Sequence, residues 1–318
     1  MTRRFLPIGL LAALVALAGC GSHSDEARRT SLAAIGTPLA AAPGSPKEKS
    51  VPCADPTASL RPPATMPRPG AMPAGSFMAK IQRKGTLVAG VDQNTLLLSY
   101  YRPSTSRMEG FEVDLLRAIA RAIGVRVEFK AVTTAQRAPM VRSGAVDIVA
   151  DAYSVTCYRR RQVAFSTIYY DTGQRVLVPK SSPARGLDDL GGKRVCATIG
   201  STTLKRVAAN RAKPIPVGVS QRTDCLVALQ EGRVDAISSD ETILLGFKAQ
   251  DSNTKIVGRR LSDEPYGMAI ARSHPEFVRF VNGVLERMRR DGTLKALERK
   301  WIGRLGPTPE PPRPRYSD

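Results

Sequence analysis

Histidine is nearly missing from this chain. Only His23 and His274 occur in 318 residues, far apart from each other. No Cys/His spacing matches a zinc site, so metal chemistry is not expected and no cofactor is called for. No His or Cys nucleophile pair is visible either, which argues against an enzyme. The Gly191-Gly192-Lys193 run lacks the spacing of a phosphate loop. Past the first twenty residues, no stretch is apolar and long enough to span a bilayer. Negative charge is scarce as well: 28 Asp and Glu stand against 48 Lys and Arg, for a formal charge of +20.

That surplus raises nucleic acid as a partner. The stretch "DAYSVTCYRRRQVAF" (151–165), with Arg159, Arg160 and Arg161 in a row, is where a patch would sit. Arginines are spread along the whole chain, however, and are not gathered into a stripe. The dispersal predicts a diffuse positive field for anionic ligands or lipid head groups, and no nucleic-acid surface.

The N-terminus sets the compartment. "MTRRFLPIGLLAALVALAGC" joins two arginines to an apolar run that ends in small residues, the pattern of a cleavable export signal. Its Leu-Ala-Gly-Cys ending resembles the bacterial lipobox, which predicts a signal peptide over 1–19 and a lipidated Cys20. The mature protein is then expected outside the cytoplasm (periplasmic), lipid-anchored to the outer face of the cytoplasmic membrane. Four cysteines remain, Cys53, Cys157, Cys196 and Cys225, an even number suited to an oxidising compartment and open to three pairings.

Residues 21–76 hold ten prolines among many Ala, Ser and Gly, a composition that predicts an extended tether. A second Pro-rich segment, "GPTPEPPRPRYSD", closes the chain as a tail. Between them strand and helix patterns alternate. "TLVAGVD" reads as a strand and "GFEVDLLRAIARAIG" as an amphipathic helix. "VRVEFKAV" and "VDIVA" read as strands, flanking a helix interrupted near Pro139. The same rhythm returns in "KRVCATIG", "TTLKRVAAN", "PIPVGV", "QRTDCLVALQEG" and "VDAISS". This is an α/β chain with a mostly parallel sheet. "SGAVDIV" (143–149) and "EGRVDAI" (231–237) both end a helix with Gly and open a strand with Val-Asp, which predicts two lobes of one kind.

Ligands of open α/β sheets sit beyond the carboxyl ends of the strands. Asp151, Ser154 and Arg159 follow "VDIVA", Asp240 follows "VDAISS", and Gly200, Ser201 and Thr202 follow "KRVCATI". Together these suit a free amino acid. Arg159, with Ser154 and the Ser201/Thr202 amides, would hold the α-carboxylate, and Asp240 the α-ammonium. Taken singly, Asp240 is equally an N-cap of the helix "ETILLGF", and Ser201 or Thr202 a simple helix cap.

These segments, with "EPYGMAI" and "DGTLKALERKW", resemble the type 2 solute-binding proteins of polar amino-acid ABC transporters over about residues 80–303. The likeness is strongest to the actinobacterial, mycobacterial-type glutamine/glutamate-binding lipoproteins. "VTCYRRRQVAFS" is its most specific part. The resemblance implies a two-lobed periplasmic-binding-protein fold with a two-strand hinge and the ligand in the interlobe cleft. Lobe 1 would span 77–173 and return over 266–303, lobe 2 would span 174–265, and 304–318 would be the tail after the 20–76 tether. It implies the same ligand residues, Ser154, Arg159, Asp240 and Gly200 to Thr202, with Ala152 standing where relatives often carry Gly.

Relatives that bind Asp or Glu often place an Arg where this chain has Arg137. That residue either meets a side-chain carboxylate or pairs structurally at a helix surface. An acidic or amide ligand is therefore implied, carried as a monomer to an ABC permease. The alternative is the same binding activity in the service of a membrane sensor. With both in the second lobe, Cys196 and Cys225 pair most economically, leaving Cys53 with Cys157. Arg160 and Arg161 are left as a solvated or structural face.

Overall fold

The computed structural model describes residues 53–306 and 310–318. The expected signal peptide, Cys20 and the first part of the tether lie outside the described residues. The body opens with α1 (Phe77–Lys84), capped by the Ser76 hydroxyl, which accepts from Ala79 N. Next come β1 (Thr86–Val91) and a small antiparallel flap of β2 (Asn94–Thr95), β3 (Ser99–Arg102) and β4 (Arg107–Glu109). α2 (Phe111–Ile123) buries Phe111, Leu115, Leu116, Ile119 and Ile123, the face its periodicity predicts. β5 (Arg126–Ala131), α3 (Arg137–Arg142), β6 (Ile148–Val149), α4 (Cys157–Arg160) and β7 (Ala164–Phe165) follow. α3 is not broken at Pro139. The proline sits in its first turn, where a missing N–H costs no intrahelical bond.

β8 (Tyr170–Pro179) leads into a second sheet. Its elements are β9 (Arg194–Thr198), α5 (Thr202–Ala208), β10 (Ile215–Val219), α6 (Arg222–Gln230), β11 (Ala236–Asp240), α7 (Glu241–Gln250) and β12 (Thr254–Val257). β13 (Asp263–Tyr266) then leads back to β14 (Ala269–Ile270), α8 (Pro275–Arg290) and α9 (Thr293–Trp301). The sheet orders are β5-β1-β6-β14-β7 and β10-β9-β11-β8-β12. The chain is thus a two-lobed α/β protein, with α8 and α9 packed beside α2 in the first lobe's core. Phe277, Phe280 and Leu285 of α8 are fully buried there.

The repeated Val-Asp has a defined structural role. In each lobe a β-α-β-α-β run places its first strand between the other two, with parallel pairing. The echoed aspartates sit at the start of the third strand. Asp147 Oδ2 accepts from Val88 N at 2.8 Å in β1, and Asp235 Oδ2 accepts from Arg194 N at 2.7 Å in β9. Their own N–H groups donate back to Val88 O and Arg194 O. These carboxylates tie the strand starts together and stay out of the cleft.

Two strands cross between the lobes. β8 and β13 pair antiparallel from Tyr170↔Tyr266 to Gly173↔Asp263, and from Gln174 onward β8 joins the second sheet. This is the expected two-strand hinge.

The Pro-rich ends behave differently from the expectation. From Cys53 on, the tether is strapped to the first lobe. Met72 is buried, and Leu60 and Met66 pack on the core. Ser59 bridges Tyr316, so tail and tether lie side by side, and Ser59 Oγ donates to Phe165 O at 2.7 Å. The wholly buried Asn282 donates to Ser59 Oγ and Leu60 O and accepts from Thr167 N. A Pro-rich backbone has many carbonyls and few N–H groups, so donor side chains can fasten it. Here Arg160 donates to Pro56 O and Ala58 O, Arg279 to Arg61 O, and Arg289 to Pro312 O.

Two disulfides join Cys53 to Cys157 and Cys196 to Cys225, across 104 and 29 residues. Chain entropy assigns them about 4–5 and about 3–4 kcal/mol. A non-reducing peptide map of the oxidised protein is expected to show these two links, and Cys53→Ser to lower the unfolding free energy by several kcal/mol. A Cys157–Cys196 peptide would contradict the assignment.

Candidate functional site

The first lobe's contribution grows from the loop after β6. Ala152 sits there at φ 44°, an uncommon conformation for a residue with a Cβ. Two side chains impose it. Ala152 N donates to Glu112 Oε1 at 2.7 Å. Arg137 Nη1 donates to the carbonyls of Asp151 and Ala152, and Arg137 Nε to Thr134 O. The loop is also stitched to the hinge: Val155 N donates to Pro265 O, Gly267 N to Tyr153 O, and Ser154 bridges Tyr266. Thr156 then caps α4 by accepting from Arg159 N, which turns the Arg159 side chain inward.

Arg159 is buried, with its guanidinium 4.7 Å from the Tyr153 ring centroid. It donates through Nη1 to Ser154 O at 2.7 Å and through Nη2 to Gly200 O at 3.2 Å, on the other lobe. Gly200 has φ 81°, and a Cβ there would stand 3.0 Å from Ala135 Cα, so the lobes meet at a residue that only glycine fits easily. The arginine trio therefore divides three ways. Arg159 enters the cleft, Arg160 grips the strap, and Arg161 is exposed.

The second lobe supplies Asp240 from the end of β11. It occupies the N-cap position of α7 but makes no capping bond. Instead Oδ2 accepts from Tyr266 Oη at 2.7 Å, while Oδ1 is buried without a partner. Burial, then repulsion from Glu264, pushes its pKa up to about 7. Ser201 does cap α5, accepting from Leu204 N, and its own N–H is committed to Thr198 O. Thr202 Oγ1 donates to Glu264 Oε2.

Seven of the eight residues read from the sequence line one small cavity between the lobes: Ser154, Arg159, Arg137 and Ala152 on one side, Ser201, Thr202 and Asp240 on the other. Gly200 lines a neighbouring pocket instead, with Tyr158 and Lys205. Arg137 is buried in the cavity wall, not at a helix surface, with its guanidinium 4.1 Å from the Tyr153 ring centroid. Burial, then the neighbouring Arg159, lowers its pKa to about 10.

Sequence reasoning missed Arg222. It opens α6 in the second lobe yet reaches into the first. Its Nη1 donates to Asp151 Oδ1 at 2.6 Å, Thr95 Oγ1 at 2.9 Å and Asp92 Oδ2 at 3.0 Å, and its Nη2 to Asp151 O. One signal was available. A cation in the first turn opposes the helix dipole, so local propensity alone does not explain Arg222. Thr134, Thr198 and Ser239 also line the cavity. Behind the loop, Glu112 accepts from both Ala152 N and Tyr169 Oη, and burial, then Asp151, raises it to about 7.

Known proteins share this two-lobed architecture. Residues 87–304 match the family described as bacterial extracellular solute-binding proteins, family 3. The "ABC transporter glutamine-binding protein GlnH" of Bacillus subtilis (strain 168) is 31% identical over 71% of this chain and 84% of its own length. The "glutamate-binding protein GluB" of Corynebacterium glutamicum is 30% identical over 71% and 81%. Among solved structures, an ancestral arginine-binding protein bound to arginine superposes with TM-score 0.65 at 34% identity, over 69% of this chain and 99% of its own. An ancestral arginine-binding protein bound to glutamine superposes with TM-score 0.64 at 34% identity, over 69% and 98%. The chain belongs to the bacterial extracellular solute-binding proteins, family 3.

Asp240 gives the protein a pH signature. Below about pH 4 the carboxyl is protonated whether folded or not; between there and about 7 only the folded state keeps the proton. Raising the pH through that window therefore favours unfolding. Asp240→Asn, which cannot ionise, is expected to gain about 2–4 kcal/mol over wild type between pH 4 and pH 8. Denaturant titration at the two pH values measures it, and a difference independent of pH would contradict the assignment.

Proposed function

We propose that this family 3 solute-binding protein captures one free polar amino acid with an acidic or amide side chain and delivers it to an ABC importer. The observation that carries the reading is the facing of two buried groups across the cleft. Arg159 comes from the first lobe, and Asp240, with its unpartnered Oδ1, from the second. An ammonium supplies what Oδ1 lacks, and its positive charge favours the ionised carboxylate. Arg159, the Ser154 hydroxyl and the Thr202 N–H take the α-carboxylate as charge-assisted hydrogen bonds. Ser201 acts through the helix cap, and Gly200 and Ala152 shape the backbone around the ligand. Because each lobe brings part of the site, binding stabilises the closed arrangement about β8 and β13.

The relatives named for glutamine and glutamate support the ligand class. The site binds and does not catalyse: its polar groups are anchors, with no base placed beside a nucleophile. Export by residues 1–19, lipidation at Cys20 and action as a monomer complete the reading. The lobes are taken as 77–173 with 266–303, and 174–265.

Calorimetry of the mature protein against the twenty amino acids tests it. At least one of Glu, Asp, Gln and Asn is expected to bind, and Arg159→Ala to weaken that ligand at least about 100-fold. Failure of all four would refute the ligand class. In cells, Cys20→Ser is expected to move the protein from the membrane fraction to the soluble one; retention in the membrane would refute the anchor.

A further inference from the structure

With Arg159 and Asp240 assigned to a ligand's main chain, two guanidinium groups remain in the cavity wall, Arg137 and Arg222. As free cations they would suit a side-chain carboxylate. Their surroundings remove that attraction. Arg222 Nη1 lies 2.6 Å from Asp151 Oδ1 and 3.0 Å from Asp92 Oδ2, and Arg137 Nε lies 3.8 Å from Asp151 Oδ2. All four side chains are at most 4% exposed. Two positive and two negative charges share one desolvated cluster, and they sum to zero. Most of their donors are engaged too. Arg137 Nε and Nη1 serve three carbonyls, and both terminal nitrogens of Arg222 serve first-lobe oxygens.

We propose that Asp151 and Arg222 determine side-chain specificity by making this wall of the cavity electrically neutral, so that the ligand is an α-amino acid with an uncharged amide side chain rather than a dicarboxylate. This rests on the amino-acid reading above and narrows it. A side-chain carboxylate entering the cavity gives up its water and meets no net charge in return, a heavy cost in a buried site. An amide is cheaper to desolvate and carries both donors and an acceptor. The wall is furnished for such a group. Thr134 Oγ1 is buried without a partner, and Thr198 and Ser239 line the same space. A hydroxyl can donate to an amide oxygen or accept from its nitrogen.

Calorimetry with glutamine, asparagine, glutamate and aspartate near neutral pH tests this. In the wild type the better amide is expected to bind at least about tenfold more tightly than the better acid. Asp151→Asn leaves the cluster positive and is expected to shift the acid-to-amide affinity ratio toward the acid by about tenfold or more. Arg222→Gln leaves it negative and is expected to shift the ratio the other way, with arginine or lysine gaining on glutamine. The double variant is neutral again and should return to the wild-type preference. Each protein is scored by a ratio of two ligands on one sample, so a loss of folded material cancels. If a variant does not fold, the wild-type ratio decides. A wild type that prefers glutamate or aspartate overturns the inference, as does a ratio unmoved by both single changes. If none of the twenty amino acids binds the wild type, the amino-acid reading itself fails and takes this inference with it.

Discussion

A guanidinium buried away from water must be matched by carboxylates, and Arg222 finds its match only in the other lobe. Its partners Asp92, Thr95 and Asp151 all belong to the first lobe, while its backbone opens a helix of the second. Separating the lobes would return three buried charges to solvent, and bringing them together fixes their spacing to within a hydrogen bond. The rest of the cleft follows from that register. Gly200 comes against Ala135, Arg159 reaches Gly200 O, and Asp240 is carried under the hinge tyrosine Tyr266.

Those parts were legible in the sequence to very different degrees. The lobes were readable because each repeats a strand-helix-strand rhythm, and the Val-Asp echo marks the same hydrogen-bonded junction twice. The cleft residues Ser154, Arg159, Asp240 and Ser201 were readable because topology places them past the ends of strands. Arg222 was not, since its partners lie 71 and 130 residues away and no local pattern announces them. Asp151 stood in plain view past "VDIVA", yet its task became apparent only beside Arg222. Arg137 looked like a ligand group or a surface pair. It is buried in the cavity wall, holding the loop whose Ala152 adopts a positive φ.

Composition misled in one place for a clear reason. Proline-rich segments read as spacers because they cannot form ladders with themselves. They still offer carbonyl oxygens, and this chain has a surplus of arginines to receive them. Several of these arginines hold backbone as well as carboxylates. Arg117, Arg175 and Arg194 bind the carbonyls of Met108, Gly258 and Gly232, just as Arg160 and Arg289 bind the terminal straps. The charge that first suggested nucleic acid is in good part internal fastening.

The strapping of both ends also decides how the molecule can be pulled. Tension arriving along the N-terminal segment enters at Cys53 and passes through a covalent bond to Cys157, beside Arg159. The C-terminal segment lies along the same face. The first lobe therefore carries both ends, and the chain crosses to the second lobe through β8 and β13. A pull on either end is taken up within the first lobe and does not pass through β8 and β13.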